Sequence, residues 1–214
     1  GKTVAARAAG AGLDAPRHTA LYLGTPGGGL RGIYGMIVSR LGGTPKFHHA
    51  ALIPQAQELL AAETSERGKR VILICDEAHL LDAESLEGVR CLSNLGMDQT
   101  APFCLLLLGQ PTLRHRLRQG TFTALDQRIA VRYAIGGLTP AETHSYVQHH
   151  LALAGRSDTL FSDDAVTLIH EVSRGLPRQV NNLAVSSLIA AFAAKKAIVD
   201  ESSARAAVAE ISAE

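Results

Sequence analysis

Short clusters of residues carry the chemistry that this chain can do. Gly1-Lys2-Thr3 stands directly ahead of a helical pattern. Backbone N–H groups at a helix start attract phosphate, a Lys there reaches the outer phosphates, and a Thr hydroxyl binds Mg²⁺. Alone the tripeptide is a weak signal, because the upstream glycine that would complete such a loop is missing; we expect a chain cut inside the loop. The second cluster, Val71-Ile72-Leu73-Ile74-Cys75-Asp76-Glu77, is an apolar strand ending in two acids. α/β sheets place ligands at the carboxyl ends of their strands. Asp76 is suited there to the Mg²⁺ shell and Glu77 to polarising an attacking water. A plainer reading makes Asp76 the cap of the next helix. The two clusters together, in this order, are far more specific than either alone.

Three further polar residues follow. Gln110 ends the apolar run Phe103–Leu108 within Gly109-Gln110-Pro111, which suits either a contact to the γ-phosphate or its water, or a plain turn. Arg128, in Leu125-Asp126-Gln127-Arg128-Ile129, precedes an expected last strand. A guanidinium there can stabilise a transferring phosphoryl group, in cis or from a neighbouring subunit, with Arg132 as a nearby competitor. Arg178, in Gly175-Leu176-Pro177-Arg178, projects from a first helical turn, where the helix dipole disfavours a cation. One pattern misleads. Gly27-Gly28-Gly29-Leu30-Arg31-Gly32 fits a dinucleotide fingerprint after a strand, but the acid expected about 20 residues on is absent. Leu52 stands there and the next acid is Glu58, so we read the glycines as a connecting loop.

These residues need a scaffold, and the hydrophobic pattern supplies one. Short apolar runs at 19–23, 71–75, 103–108 and 131–135 predict strands, and helices are expected at 3–10, 30–41, 52–67 and 83–97. Continuous apolar strands alternating with helices point to a parallel sheet covered on both faces. After Gly136-Gly137 only helical patterns remain. Thr139-Pro140-Ala141-Glu142 is a capping-box start, Ser162 caps the next helix, Pro177 opens a third, and 204–211 is a fourth. The expected organisation is an α/β domain over 1–137 and a small all-helical domain over 138–214.

Composition excludes several classes. The chain has 214 residues, a 46% hydrophobic fraction and a formal charge of +1, so no global field argues for nucleic acid or membrane. Its three cysteines form no disulfide framework, which favours a reducing, cytoplasmic setting. The pairs His48-His49 and His149-His150 read as polar surface, since adjacent residues do not share a helix face. No apolar run reaches the ~20 residues of a membrane span, and no signal peptide is read at the start.

Taken together, these residues resemble the AAA+ superfamily, and within it the bacterial ExeA-like and TniB-like transposition-helper ATPases. The resemblance covers nearly the whole chain and rests on VILICDEAHLL (71–81), LLLLGQPTL (105–113), LDQRI (125–129) and GLPRQVNNL (175–183). It implies a P-loop fold with a parallel sheet sandwiched by helices and a helical lid, with ATP and Mg²⁺ as cofactors. It also implies a ring or filament of subunits with nucleotide between them. Gly1, Lys2 and Thr3 then match the end of Walker A, Asp76 and Glu77 Walker B, Gln110 sensor 1, Arg128 the arginine finger and Arg178 sensor 2. Two roles are implied: a DNA-transposition helper acting with a transposase, or an ExeA-type secretion ATPase. Relatives of the second kind carry a membrane segment and a wall-binding domain beyond the lid; the end of this chain at Glu214 ranks the first role higher. A nucleotide-binding switch with negligible turnover is the third reading, disfavoured by Glu77. For duplex DNA, the candidates are Arg31 and Lys46 beside the Gly-rich loop.

Overall fold

The computed structural model describes residues 1–24, 27–92 and 103–212. They fall into two compact units, Gly1–Tyr133 and Ala134–Glu214.

The first unit is built on three parallel strands in the order β1 (His18–Leu23), β2 (Arg70–Cys75) and β3 (Phe103–Leu107). Helix α1 (Lys2–Ala11) precedes β1; α2 (Gly29–Arg40) and α3 (His49–Ser65) join β1 to β2. Helix α4 (Ala83–Leu92) follows β2, and the short helices α5 (Pro111–Leu117) and α6 (Thr123–Asp126) follow β3. The expected helix over 83–97 is present as α4; its later residues lie outside the described ones.

Period-two alternation on β1 buries Leu21 and Leu23 while Tyr22 points to the opposite face. Leu23, Leu73, Ile33, Ile37, Leu52 and Leu60 are fully buried and join sheet, α2 and α3 in one core. Each such side chain contributes about 1.5–3 kcal/mol. The opposite face lies against α1, close enough that a β-carbon on Gly10 would be in ordinary contact with Ile74 Cδ1 (3.8 Å) and Ala20 Cβ (3.9 Å). One buried acid joins α3 to the sheet. Glu63 accepts from Thr19 Oγ1 of β1 at 2.7 Å and pairs with Arg67 one turn on.

The Gly27–Gly32 run is a loop entering α2. Gly28 and Gly29 have positive φ (83° and 60°), and a β-carbon on Gly32 would lie 2.0 Å from the Gly27 carbonyl oxygen. The glycines serve a tight helix entry.

The strand expected over 131–135 is not formed. Its residues carry no regular structure, and Val131 and Tyr133 are 81% and 88% exposed. Alternation states which face a strand would bury, but a strand also needs a neighbouring edge to pair with. In this fold β3 takes its ladder from β2 alone among the described residues.

The second unit is helical: α7 (Pro140–Leu153), α8 (Asp163–Ser173), α9 (Pro177–Ala193) and α10 (Glu201–Ser212). Thr139 caps α7 in a full capping box with Glu142, and Ser162 Oγ accepts from the Ala165 amide at 3.2 Å at the start of α8. Val166, Ile169, Val180, Leu183 and Ala204 form its core, separate from the core of the first unit. The α8–α9 turn depends on Gly175. It has φ 66°, its carbonyl accepts from the Leu138 amide at 2.8 Å, and a β-carbon there would lie 2.0 Å from the Leu138 oxygen. Gly175→Ala is therefore expected to destabilise the helical unit by about 2–3 kcal/mol, combining a left-handed backbone with a main-chain clash. Denaturant unfolding of the variant checks this, and a midpoint equal to that of the parent contradicts it.

Candidate functional site

The carboxyl ends of the strands share one edge of the sheet. Leu23 lies opposite Cys75, and Cys75 opposite Leu107. Asp76 is the first residue past β2, its amide donating to the Leu23 carbonyl at 2.9 Å. The start of α1 reaches the same edge, where Thr3 Oγ1 donates to Asp76 Oδ2 at 2.7 Å. Two residues chosen from clusters 73 positions apart are thus in direct contact.

Asp76 is buried and accepts from two more groups: the Tyr22 hydroxyl on Oδ2 at 2.5 Å and the Glu77 amide on Oδ1 at 2.9 Å. Burial by itself raises the acid's pKa. The donors Tyr22, Thr3 and Glu77 N–H, with the nearby Arg7 charge, outweigh it and hold the carboxyl below its usual range. Asp76 is therefore a carboxylate at neutral pH. The plainer reading of this residue, a helix cap, belongs to Asp82 instead, whose Oδ1 accepts from the Ser85 amide at 2.7 Å at the start of α4. Behind the site, burial pushes the Cys75 thiol up to about 12, leaving it without nucleophilic character.

Glu77 has φ 51° and ψ 32°, a left-handed conformation unusual for a residue with a side chain. Its side chain is 45% exposed, and its Oε2 lies 3.4 Å from Nδ1 of the largely buried His79. The turn is held from β3, since the Ala78 amide donates to the Leu108 carbonyl at 2.7 Å. Gly109 permits this approach: a β-carbon there would meet the His79 nitrogen at 3.2 Å and Leu113 Cδ2 at 2.8 Å. Arg116 Nη1 also donates to the His79 carbonyl at 2.8 Å. Gln110 follows Gly109 at the same edge, exposed, as the N-cap residue of α5.

The remaining expected residues are placed as follows. Gly1 is the N-cap position of α1 and Lys2 its first residue, both exposed. No side chain caps α1, and its first internal bond runs from the Ala5 amide to the Gly1 carbonyl at 2.9 Å, so the amides before Ala5 lie ahead of the ladder. Arg128 is exposed after α6; the pKa of Glu87 is lowered chiefly by its hydrogen bond from Arg90, against the opposing effect of burial, with smaller help from the Arg90 and Arg128 charges. Its competitor Arg132 is engaged with Asp126, on both the carbonyl (2.9 Å) and Oδ1 (2.8 Å). Arg178 is in the first turn of α9, in the second unit. Arg31, on α2, stands over the exposed Phe47 ring at 4.9 Å, and Lys46 lies in the loop before α3. Asp82 and Glu84 line the same cavity as Arg31, of about 250 Å³, so its charge is mixed.

A hydroxyl and a carboxylate at the mouth of uncapped helix amides are hard oxygen donors beside an anion site, and they fit a phosphate-bound Mg²⁺. Sequence reasoning missed Tyr22, His79 and Arg116. The available signal for Tyr22 was a polar side chain one residue before the end of the strand next to the acid-ending one.

Comparison with known proteins agrees with this fold. Residues 1–117 match the AAA domain family. Over 126 residues, 59% of the chain, the sequence is 38% identical to the General secretion pathway protein A of Aeromonas hydrophila, of which the match spans 23%. The ORC2 protein of Aeropyrum pernix in its ADP form aligns with 98% of the chain at TM-score 0.66 and 18% identity, over 55% of its own length. Cdc6p of Pyrobaculum aerophilum aligns with 85% at TM-score 0.59 and 18% identity, over 50% of its length. The chain thus spans about a quarter of that curated relative and about half of those solved structures.

The Asp76 environment makes a pH prediction. Its folded pKa is depressed, so its contribution to stability is full above the unfolded value of about 3.9 and is lost as pH falls through the folded value. The stability difference between the parent and Asp76→Asn is expected to be largest near neutrality and to shrink as the pH drops below about 4. Denaturant unfolding across a pH series measures it; a difference independent of pH contradicts the assignment.

Proposed function

The chain belongs to the AAA domain family, and from that premise we propose that it is the ATP-hydrolysing part of an ExeA-type AAA+ ATPase. The observation that carries the reading is the 2.7 Å bond from Thr3 at the start of α1 to Asp76 at the end of β2. It joins a phosphate-type helix start to an acid-ending strand, the pairing that metal-assisted phosphoryl transfer needs.

In this reading the first amides of α1 and the Lys2 ammonium hold the outer phosphates of ATP. The Thr3 hydroxyl, held by the Asp76 carboxylate, would take Mg²⁺, and the ion would neutralise phosphate charge. Glu77 accepts the proton of the attacking water as the γ-phosphoryl group passes to that water and ADP leaves. The left-handed backbone at Glu77 supports the role, because such strain persists where the surroundings enforce it, often at working residues. Gln110, on the adjacent strand end, orients the water or the γ-phosphate. Arg128 counters transition-state charge from a neighbouring subunit in a ring or filament, and Arg178 in the helical lid responds to nucleotide state.

For the biological role, the relationship to General secretion pathway protein A supports the secretion-type assignment. The shared stretch is 23% of that protein, so the assignment rests on the ATPase part alone. The transposition-helper role, ranked first on where the chain ends, has no such support. The mixed charge around Arg31 gives duplex DNA no added reason to bind there. Among the described residues no helix is long and apolar enough to cross a membrane.

Glu77→Gln is expected to bind ATP as the parent does while turnover falls by about 10²–10⁴-fold. Equal turnover in the variant overturns the assignment. Arg128→Ala should bind ATP normally and lose turnover by about 10³-fold or more. Mixing Arg128→Ala with Glu77→Gln subunits should then restore part of the rate, since some interfaces pair an intact Arg128 with an intact Glu77. No recovery in verified mixed oligomers contradicts action in trans.

A further inference from the structure

We infer that Tyr22 is a positioning residue for the metal site: its hydroxyl locks the Asp76 carboxylate that in turn orients Thr3. The inference rests on the ATPase reading above and adds a residue to it.

Geometry carries the argument. Tyr22 lies one position before the end of β1, opposite Ile74 in the ladder, on the face of the sheet turned toward α1. Its hydroxyl reaches Asp76 Oδ2 at 2.5 Å, the same oxygen that accepts from Thr3 Oγ1 at 2.7 Å. A carboxylate oxygen has two lone pairs. With both filled by hydroxyl protons, Oδ2 has no lone pair left for an ion while those bonds stand. Asp76 then works through Thr3: by accepting the hydrogen bond from the Thr3 hydroxyl it leaves that oxygen's lone pairs for the metal. Oδ1 is fixed too, by the Glu77 amide at 2.9 Å. The carboxylate is thereby pinned at both ends, and rotating it would break a bond on each oxygen.

The phenol ring is itself held. The Arg7 guanidinium stands over it at 4.9 Å from the centroid, and Arg7 follows Thr3 by one helical turn, on the same face of α1. The hydrogen bond to Asp76, more than burial, raises the Tyr22 pKa, so the phenol stays protonated as a donor at working pH. Partners that orient a metal ligand without touching the metal tune affinity through such bonds.

Tyr22→Phe removes the hydroxyl and keeps the ring under Arg7. The test uses the full-length protein, Mn²⁺ as the probe, and the EPR signal of free Mn²⁺ in the presence of ATP as the readout. ATP binding without metal is measured alongside, and Asp76→Asn is the reference. The expected result is a Mn²⁺ affinity about tenfold weaker in Tyr22→Phe, with metal-free ATP binding unchanged. In steady state the Mg²⁺ concentration for half-maximal rate should rise by the same factor while kcat at saturating Mg²⁺ stays near the parent value. Unchanged Mn²⁺ affinity in Tyr22→Phe, with loss in Asp76→Asn, overturns this inference and leaves the ATPase reading standing. Unchanged affinity in both variants overturns both. Loss of metal-free ATP binding in Tyr22→Phe also overturns it, since the hydroxyl would then serve the fold rather than the metal site.

Discussion

A buried carboxylate is costly unless donors surround it, and Asp76 imposes that requirement on everything near it. Its oxygens accept hydrogen bonds from the start of α1, the end of β1 and the turn beyond β2. Three segments far apart in sequence are thereby held at one edge of the sheet. The ladder supports the arrangement from below, because Leu23, Cys75 and Leu107 end in register and release the chain at one level. Deleting the carboxylate would leave two hydroxyls without their acceptor at the point where α1 meets the sheet.

The turn after Asp76 is constrained from its other side. Glu77 is held in a left-handed conformation, and the groups that enforce it come from β3 and α5. The Leu108 carbonyl takes the Ala78 amide, Gly109 gives the room for that contact, and Arg116 clamps the His79 carbonyl. The backbone that carries the glutamate is thus fixed by contacts to the residues that follow it. That is the kind of preorganisation a water-polarising acid needs, since orientation fixed before reaction costs nothing during it.

Most of the sheet was legible in the sequence, since continuous apolar runs ending in polar residues name buried parallel strands and their working ends. The helical unit was legible from its caps, because Thr139 and Ser162 act through bonds to residues three positions on, which sequence spacing shows directly. The failures share a cause. The run at 131–135 alternates as a strand does, yet pairing depends on a neighbour that local pattern cannot supply. Helix α5 was hidden because Gly109-Gln110-Pro111 reads as a turn, whereas Pro111 is the first residue of the helix. Tyr22 escaped notice because its partner lies on another strand and 54 positions away. Side chains whose role is set by register across a sheet become visible only when the register is known.

The central claim is that the edge formed by Lys2, Thr3 and Asp76 binds nucleotide together with Mg²⁺. Calorimetric titration of ATP into the full-length protein, with and without Mg²⁺, tests it most directly. Binding should tighten on adding Mg²⁺ in the parent, and that gain should vanish in Thr3→Ala while Lys2→Ala weakens binding under both conditions. Equal ATP affinity with and without Mg²⁺ in the parent, or a Mg²⁺ effect that survives in Thr3→Ala, would contradict the account.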